Sequence, residues 1–287
     1  MTYEMRRDEA LDYFSYCYDG SKSRFRGPRR RIEGNYIAFL GGTDTFGRFI
    51  PRPFPALVED RIGVPCVNFG RVNSGADSYL QDEVVLAAIR QALITVLQVP
   101  GAQNFNNRYY SVHPRRNDRF LKATPLLRQT YPDLDLAEVN FTRHLLRLLA
   151  SGGGERFAQL VVELQRAWVA RMSELIRQID GPVLLLWLAD HPPCDPRSAS
   201  GGSASGGTPD AWRDPLFVTA PMVQALTPQP AANVQVVVSP AALAAGGAGM
   251  VFGEAEAAVA AGLLGPAAHV ETADALAPML RAMLAPA

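Results

Sequence analysis

The amino-acid sequence predicts an α/β fold: a three-layer sandwich around a central, mainly parallel sheet of about five strands, with a helical insertion between the third and fourth. Three observations predict it. Tyr36–Leu40, Val64–Asn68, Ile94–Val99, Val183–Leu188 and Val234–Val238 are short apolar runs of strand length. Segments with helical periodicity or helix-start residues separate most of them, and strands alternating with helices make a parallel sheet covered on both faces. Nearly half of the 287 residues are apolar, enough for one large core.

Residues 1–35 read as an N-terminal arm preceding a single α/β domain, residues 36–287. A short helix over Asp8–Tyr16 leads into the basic loop Lys22–Arg31, which carries Arg24, Arg26, Arg29, Arg30 and Arg31 around Gly27-Pro28. The loop reads either as a solvated segment or as an anion-holding arm folded over the functional face.

From Tyr36 the pattern is strand, glycine loop (Gly41–Gly47), and a helix Pro53–Ile62 opened by proline. The strand Val64–Asn68, the turn-rich loop Gly70–Asp77 and a helix Tyr79–Leu93 follow. Ile94–Val99 is a β-branched run ending in Pro100-Gly101, the form of a buried parallel strand. The insertion, residues 108–180, includes His113–Phe120 and helices over Leu134–Leu149 and Glu155–Ile179, separated at Gly152–Gly154; its place is to cap the sheet. After Val183–Leu188 comes a glycine- and serine-rich segment, 198–212, read as a flexible loop. The last strand is Val234–Val238, and a C-terminal helix Ala273–Leu284 follows His269. Ala241–Gly265 carries no pattern that assigns it.

Lys+Arg and Asp+Glu both number 28, so overall charge makes no case for nucleic acid or an anionic membrane as partner. Cys17, Cys66 and Cys194 are odd in number and lack ligand-like spacing, which predicts reduced thiols, no metal site and a cytoplasmic location. The N-terminus lacks the apolar stretch of a secretory signal, and the longest apolar run, Val183–Ala189, falls far short of the roughly 20 residues of a membrane span. No cofactor is implied, and nothing fixes the oligomeric state.

In a parallel sheet, functional groups collect in the loops outside the carboxyl ends of the strands. Here these are Gly41–Gly47, Gly70–Asp77, Gly101–Asn107 and Asp190–Pro193. Their motifs are Gly41-Gly42-Thr43 with Thr45 and Gly47, Asn68-Phe69-Gly70 followed by Asn73-Ser74-Gly75, Gly101-Ala102-Gln103-Asn104, and a late His269. In that order they resemble the SGNH/GDSL hydrolase superfamily, over roughly residues 36–107 and the last third of the chain. The resemblance implies an SGNH-like, flavodoxin-like sandwich. It places Thr43 at the nucleophile position, His269 at the general base, and Gly70 or Gly75 with Gln103 or Asn104 around the oxyanion. The pattern departs from the family where Thr43 replaces serine and Pro266 replaces the aspartate three residues before the histidine. The whole sequence is also similar to a group of uncharacterised bacterial proteins, which implies no activity.

Asp44, Thr45 and Asn73 lie within the same loops and are expected to contact a substrate. The segment Asn106–Arg119 adds Arg108, His113, Arg115 and Arg116, whose planar donors suit sulfate, phosphate or carboxylate, or else pair with nearby carboxylates as a surface network. His191 follows a buried strand and reads either as a functional acid, base or ligand contact or as a loop-end hydrogen-bonding group. The expected function is an SGNH-like hydrolase or acyltransferase acting on an acylated carbohydrate-type ligand, including an anionic one. The arginines keep open a sulfotransferase-like enzyme using a nucleotide sulfate donor, although Gly41–Gly47 contains no lysine or arginine. A non-catalytic glycan- or nucleotide-binding relative that lost its nucleophile is the third reading.

Overall fold

The computed structural model describes residues 11–193, 212–226 and 231–285. Strands β1 (Ile37–Leu40), β2 (Cys66–Asn68), β3 (Ile94–Gln98), β6 (Val183–Ala189) and β7 (Ala232–Val237) form one five-stranded sheet in the order β2-β1-β3-β6-β7. Every pairing is parallel: Ile37 faces Cys66 on one side and Ile94 on the other, Val96 faces Leu184, and Leu186 faces Val234. The chain turns from β1 outward to β2 and then crosses back to β3. The strand order therefore reverses between β1 and β3, where a doubly wound sheet opens a crevice at its carboxyl edge.

Strand periodicity sorts the buried side chains into two cores. Ile37, Phe39, Ile94, Val96, Leu184 and Leu186 pack with Phe54 and Val58 of helix α2 (Phe54–Ile62) and with Leu276 and Leu280 of the C-terminal helix. Ala38, Leu40, Leu97, Val99, Leu185 and Trp187 pack the other way. Their partners are Val85 and Ile89 of one helix (Glu83–Gln91) and Leu160, Leu164, Trp168 and Met172 of another (Gly154–Arg177). The fully buried Trp168 donates from Nε1 to Pro100 O (2.8 Å), fixing the insertion to the loop after β3. The five predicted strands and the three-layer arrangement are thus present.

Several local expectations are corrected. The helix expected over Tyr79–Leu93 is two, Ala76–Leu80 and Glu83–Gln91, because Asp82 caps the second by accepting from Val85 N and pairs with the buried Arg71 at 2.6 Å. The insertion is not helical throughout: it opens with an antiparallel ribbon, β4 (Tyr110–His113) and β5 (Arg116–Ala123), whose Tyr110 and Val112 alternate inward. The expected helix Leu134–Leu149 is confined to Thr142–Ser151. Leu11–Tyr16 is not helical; Tyr16 pairs antiparallel with Phe25, and Tyr18 and Phe25 join the main core. Within Ala241–Gly265 the chain forms the short helices Pro240–Ala245 and Ala257–Ala260. The C-terminal helix begins at Pro266, so His269 lies inside its first turn. Residues 198–211 and Cys194 lie outside the described residues. No helix among the described residues is long and apolar enough to cross a membrane.

Candidate functional site

The loop after β1 is built against a floor that leaves no room for a side chain at Gly41, where a Cβ would lie 2.1 Å from Thr45 Oγ1 and 2.6 Å from Gln98 Oε1. Beneath it the buried Tyr79 hydroxyl donates to Gly41 O (2.6 Å) and accepts from Gly41 N (3.0 Å). A single helical turn, α1 (Thr43–Phe46), follows and ends at Gly47, whose φ of 73° suits glycine. From the arm, the buried Arg26 brackets this turn, donating to Gly47 O, to Ile50 O (2.6 Å) and to Pro51 O (2.9 Å). Burial pushes its pKa down to about 10.

At the switch point a cleft of about 510 Å³ opens over this turn. Its polar lining includes Thr43, Asp44, Asn73, Gln98, Gln103, Asn104, Arg143, Asp190, Arg213 and Asp214, beside the indole of Trp212. Leu188, Leu243, Leu263 and Leu264 add aliphatic lining. Arg143 pairs with Asp214 at 2.6 Å and Arg213 with Asp190 at 2.8 Å. Among the described residues three carboxyl groups thus meet two guanidinium groups, both already paired, so this lining offers no surplus of positive charge for a phosphate or sulfate.

Asp44 is the chemically distinctive group. Gln98, at the end of β3, accepts from Thr45 Oγ1 through Oε1 (2.6 Å), which turns its Nε2 toward Asp44 Oδ2 (3.0 Å). Burial pushes the Asp44 carboxyl up to about 6, the nearby Asp214 carboxylate adds to the rise, and the Gln98 hydrogen bond opposes it. Its other oxygen has no side-chain partner among the described residues. A carboxyl group titrating near neutrality in a cleft can take up and return a proton under ordinary conditions.

Thr43 reaches the cleft, as expected. Its Oγ1 accepts from Asn73 N (3.1 Å) and donates to Asn73 Oδ1 (3.1 Å), with Asn73 held at a left-handed φ of 58°. Asn73 Nδ2 in turn donates to Asp118 Oδ2 (3.0 Å), a carboxyl whose pKa burial raises. Thr45 is buried against Gln98. Gln103 and Asn104 line the cleft.

Other expected members are not brought there. His269 is 1% exposed and belongs to the core on the far side of the sheet from Trp168. Its Nδ1 accepts from Phe54 N (3.2 Å), its ring stacks on Phe54 at 5.7 Å, and burial pushes its pKa down to about 3. It does not line the cleft and makes no contact with Thr43. The physical reason is the helix start at Gly265-Pro266, which carries His269 into a packed first turn. The amides expected to hold an oxyanion are occupied: Gly70 N donates to Asn68 Oδ1 (2.8 Å) and Gly75 N to Asn117 Oδ1 (2.7 Å).

His191 is buried at a loop end, its ring nitrogens 2.7 Å from Pro192 O and 3.1 Å from Asp214 O. His113 Nδ1 accepts from Arg115 N and Arg116 N in the turn of the β4–β5 ribbon, where both arginines are exposed. Arg108 lies in a separate groove with Tyr109, Glu163 and Arg166. Arg108, Arg115 and Arg116 therefore do not line the cleft, although their segment reaches it through Asp118, which holds Asn73. Sequence reasoning missed Gln98, Arg143 and Trp212–Asp214. A glutamine closing an otherwise apolar β3 was the available signal for the first, since a buried polar side chain needs a partner. Among the described residues no cluster of histidine, cysteine and carboxylate side chains can hold a metal ion.

A family described as Domain of unknown function (DUF6473) matches residues 1–284, and the chain belongs to it. No curated protein matches the chain.

Proposed function

Membership of a family whose description carries no activity leaves the cleft as the guide, and we propose that it binds an acylated carbohydrate-type molecule and hydrolyses or transfers its acyl group with Asp44, not a histidine, as the base. The observation that carries this reading is the Asp44 carboxyl, held in the cleft by Gln98 with its pKa raised to about 6. The aliphatic lining residues Leu188, Leu243, Leu263 and Leu264 suit an acyl group, and the amides of the lining suit a polyol.

In this mechanism the Asp44 carboxylate removes a proton from water, or from the hydroxyl of an acceptor, as that oxygen adds to the ester carbonyl. The tetrahedral adduct then collapses, and the departing alkoxide takes the proton back from Asp44. Asn104, whose Oδ1 is fixed by Thr142 Oγ1 (2.9 Å), turns its Nδ2 donors to the developing oxyanion. Thr43 serves as a contact hydroxyl: its oxygen already accepts an N–H from Asn73, and no imidazole stands beside it to take its proton. A nucleotide sulfate donor is disfavoured by the paired arginines of the lining.

The test is turnover of p-nitrophenyl acetate and glucose pentaacetate by the wild type, Asp44→Asn and Thr43→Val. Loss of a general base costs about a hundredfold or more. Asp44→Asn is expected to show that loss in kcat and Thr43→Val a smaller one. Full activity in Asp44→Asn sinks the assignment, and ligand binding without turnover in the wild type assigns the cleft to a binder.

A further inference from the structure

Gln103 is 6% exposed, lines the cleft, and its Oε1 is buried with no hydrogen-bond partner among the described residues. Its Nε2 makes no hydrogen bond to any described residue either. The rest of the residue is firmly held: its carbonyl accepts from the buried Tyr110 hydroxyl (2.7 Å), and the preceding Ala102 N donates to Leu216 O (2.8 Å). The neighbouring backbone is cut away to admit the side chain, since a Cβ on Gly101 would fall 2.2 Å from Gln103 Oε1. A buried amide left unpaired is destabilising, and natural folds keep such groups rare. Here one is retained on a rigid backbone at the wall of the cleft, next to Asn104.

A side-chain carboxamide presents a hydrogen-bond acceptor and a donor side by side, and its last torsion is soft, so the amide plane can turn to bring both to the cleft. A vicinal diol is the matching partner: one hydroxyl donates to Oε1 while its neighbour accepts from Nε2. We propose that Gln103 is the specificity-determining residue of the cleft and reads a vicinal diol, so that the preferred ligands are sugar-like polyols and their partial esters rather than simple esters. The inference rests on the carbohydrate-ester reading above and names its ligand class. It also reassigns Gln103 from the oxyanion role that its sequence position suggested.

Glycerol α-monoacetate and n-propyl acetate carry the same acyl group on the same three-carbon chain and differ in the vicinal diol. The wild type is expected to favour the monoacetate by about tenfold to a hundredfold in kcat/KM, the effect of two neutral hydrogen bonds. Gln103→Met, of similar volume, should bring the ratio of the two close to one without lowering the unfolding midpoint, because the amide has no partner among the described residues to lose. An oxyanion role instead lowers both substrates and leaves the ratio unchanged, which overturns the proposal. A fall in stability with the ratio intact overturns it too. If neither ester is turned over, the acyl-transfer reading fails separately. Binding of methyl α-D-glucopyranoside, followed by saturation-transfer NMR, then decides: binding in the wild type and not in Gln103→Met upholds the diol reader, and no binding in the wild type overturns it.

Discussion

Replacing Asp44 with asparagine should stabilise the protein, and by an amount that depends on pH. The asparagine keeps an oxygen to accept from Gln98 Nε2 but carries no charge, so the variant removes only the cost of holding a carboxylate where Asp44 stands. The Asp44 pKa is about 6 in the fold against an ordinary 3.8. The folded state therefore holds this proton more tightly than the unfolded chain. The sign follows from that: the contribution to stability is complete below the ordinary value and is lost as pH rises from there through about 6. The gap corresponds to roughly 3 kcal/mol at about 1.4 kcal/mol per tenfold, an upper bound because the side chain keeps some access to the cleft. Urea unfolding of both proteins across pH reads the difference directly. Asp44→Asn should be about 1–3 kcal/mol more stable above pH ~7, and the two should converge below pH ~4. A difference that stays constant with pH, or a variant destabilised throughout, refutes the claim that burial raises this carboxyl. Such a variant gains stability while losing activity, as expected where a site is strained for function.

The other expectations concern the buried side chains of Tyr79 and His269. Tyr79→Phe removes the hydroxyl that both donates to and accepts from Gly41, leaving buried backbone groups unpaired; chemical unfolding should show a loss of about 2–3 kcal/mol, and an unchanged midpoint means that the loop does not rest on this contact. His269 is held neutral in the fold with its pKa pushed down to about 3, so the unfolded chain takes up a proton first as pH falls from 6.5. Wild-type stability should therefore decline through that window, and His269→Asn should flatten the decline, at some cost in packing against Phe54, when unfolding is followed from neutral to acid pH.

Much of the fold was legible because buried parallel strands are short, apolar and interrupted by glycine or proline. Ile37–Leu40, Ile94–Gln98 and Val183–Ala189 announce themselves in this way, and the glycine loop after the first strand lines the cleft. Elements decided by particular hydrogen bonds were less visible. The ribbon from Tyr110 to Ala123 reads as a charged segment because its buried residues are few, and the break at Asp82 depends on a cap and an ion pair with a distant arginine.

The site divides along the same line. Thr43, Asp44, Asn73, Gln103 and Asn104 sit at strand ends and were placed by topology. Arg143 and Trp212–Asp214 come from segments far along the chain and meet the cleft only through folding. His269 was misplaced because a motif position says nothing about helix phase, whereas Pro266 as a first-turn residue carries the histidine into the core. The Arg108–Arg116 cluster shows the same limit: density in sequence became dispersal over a ribbon tip and a separate groove.

The central claim is that Asp44, and not His269, is the acid–base group of the cleft. The pH dependence of kcat/KM for p-nitrophenyl acetate tests it most directly, measured on the wild type, Asp44→Asn and His269→Asn. The rate should rise tenfold per pH unit up to about 6 and then level, a profile that persists in His269→Asn and disappears in Asp44→Asn. A profile retained in Asp44→Asn and abolished in a folded His269→Asn contradicts it.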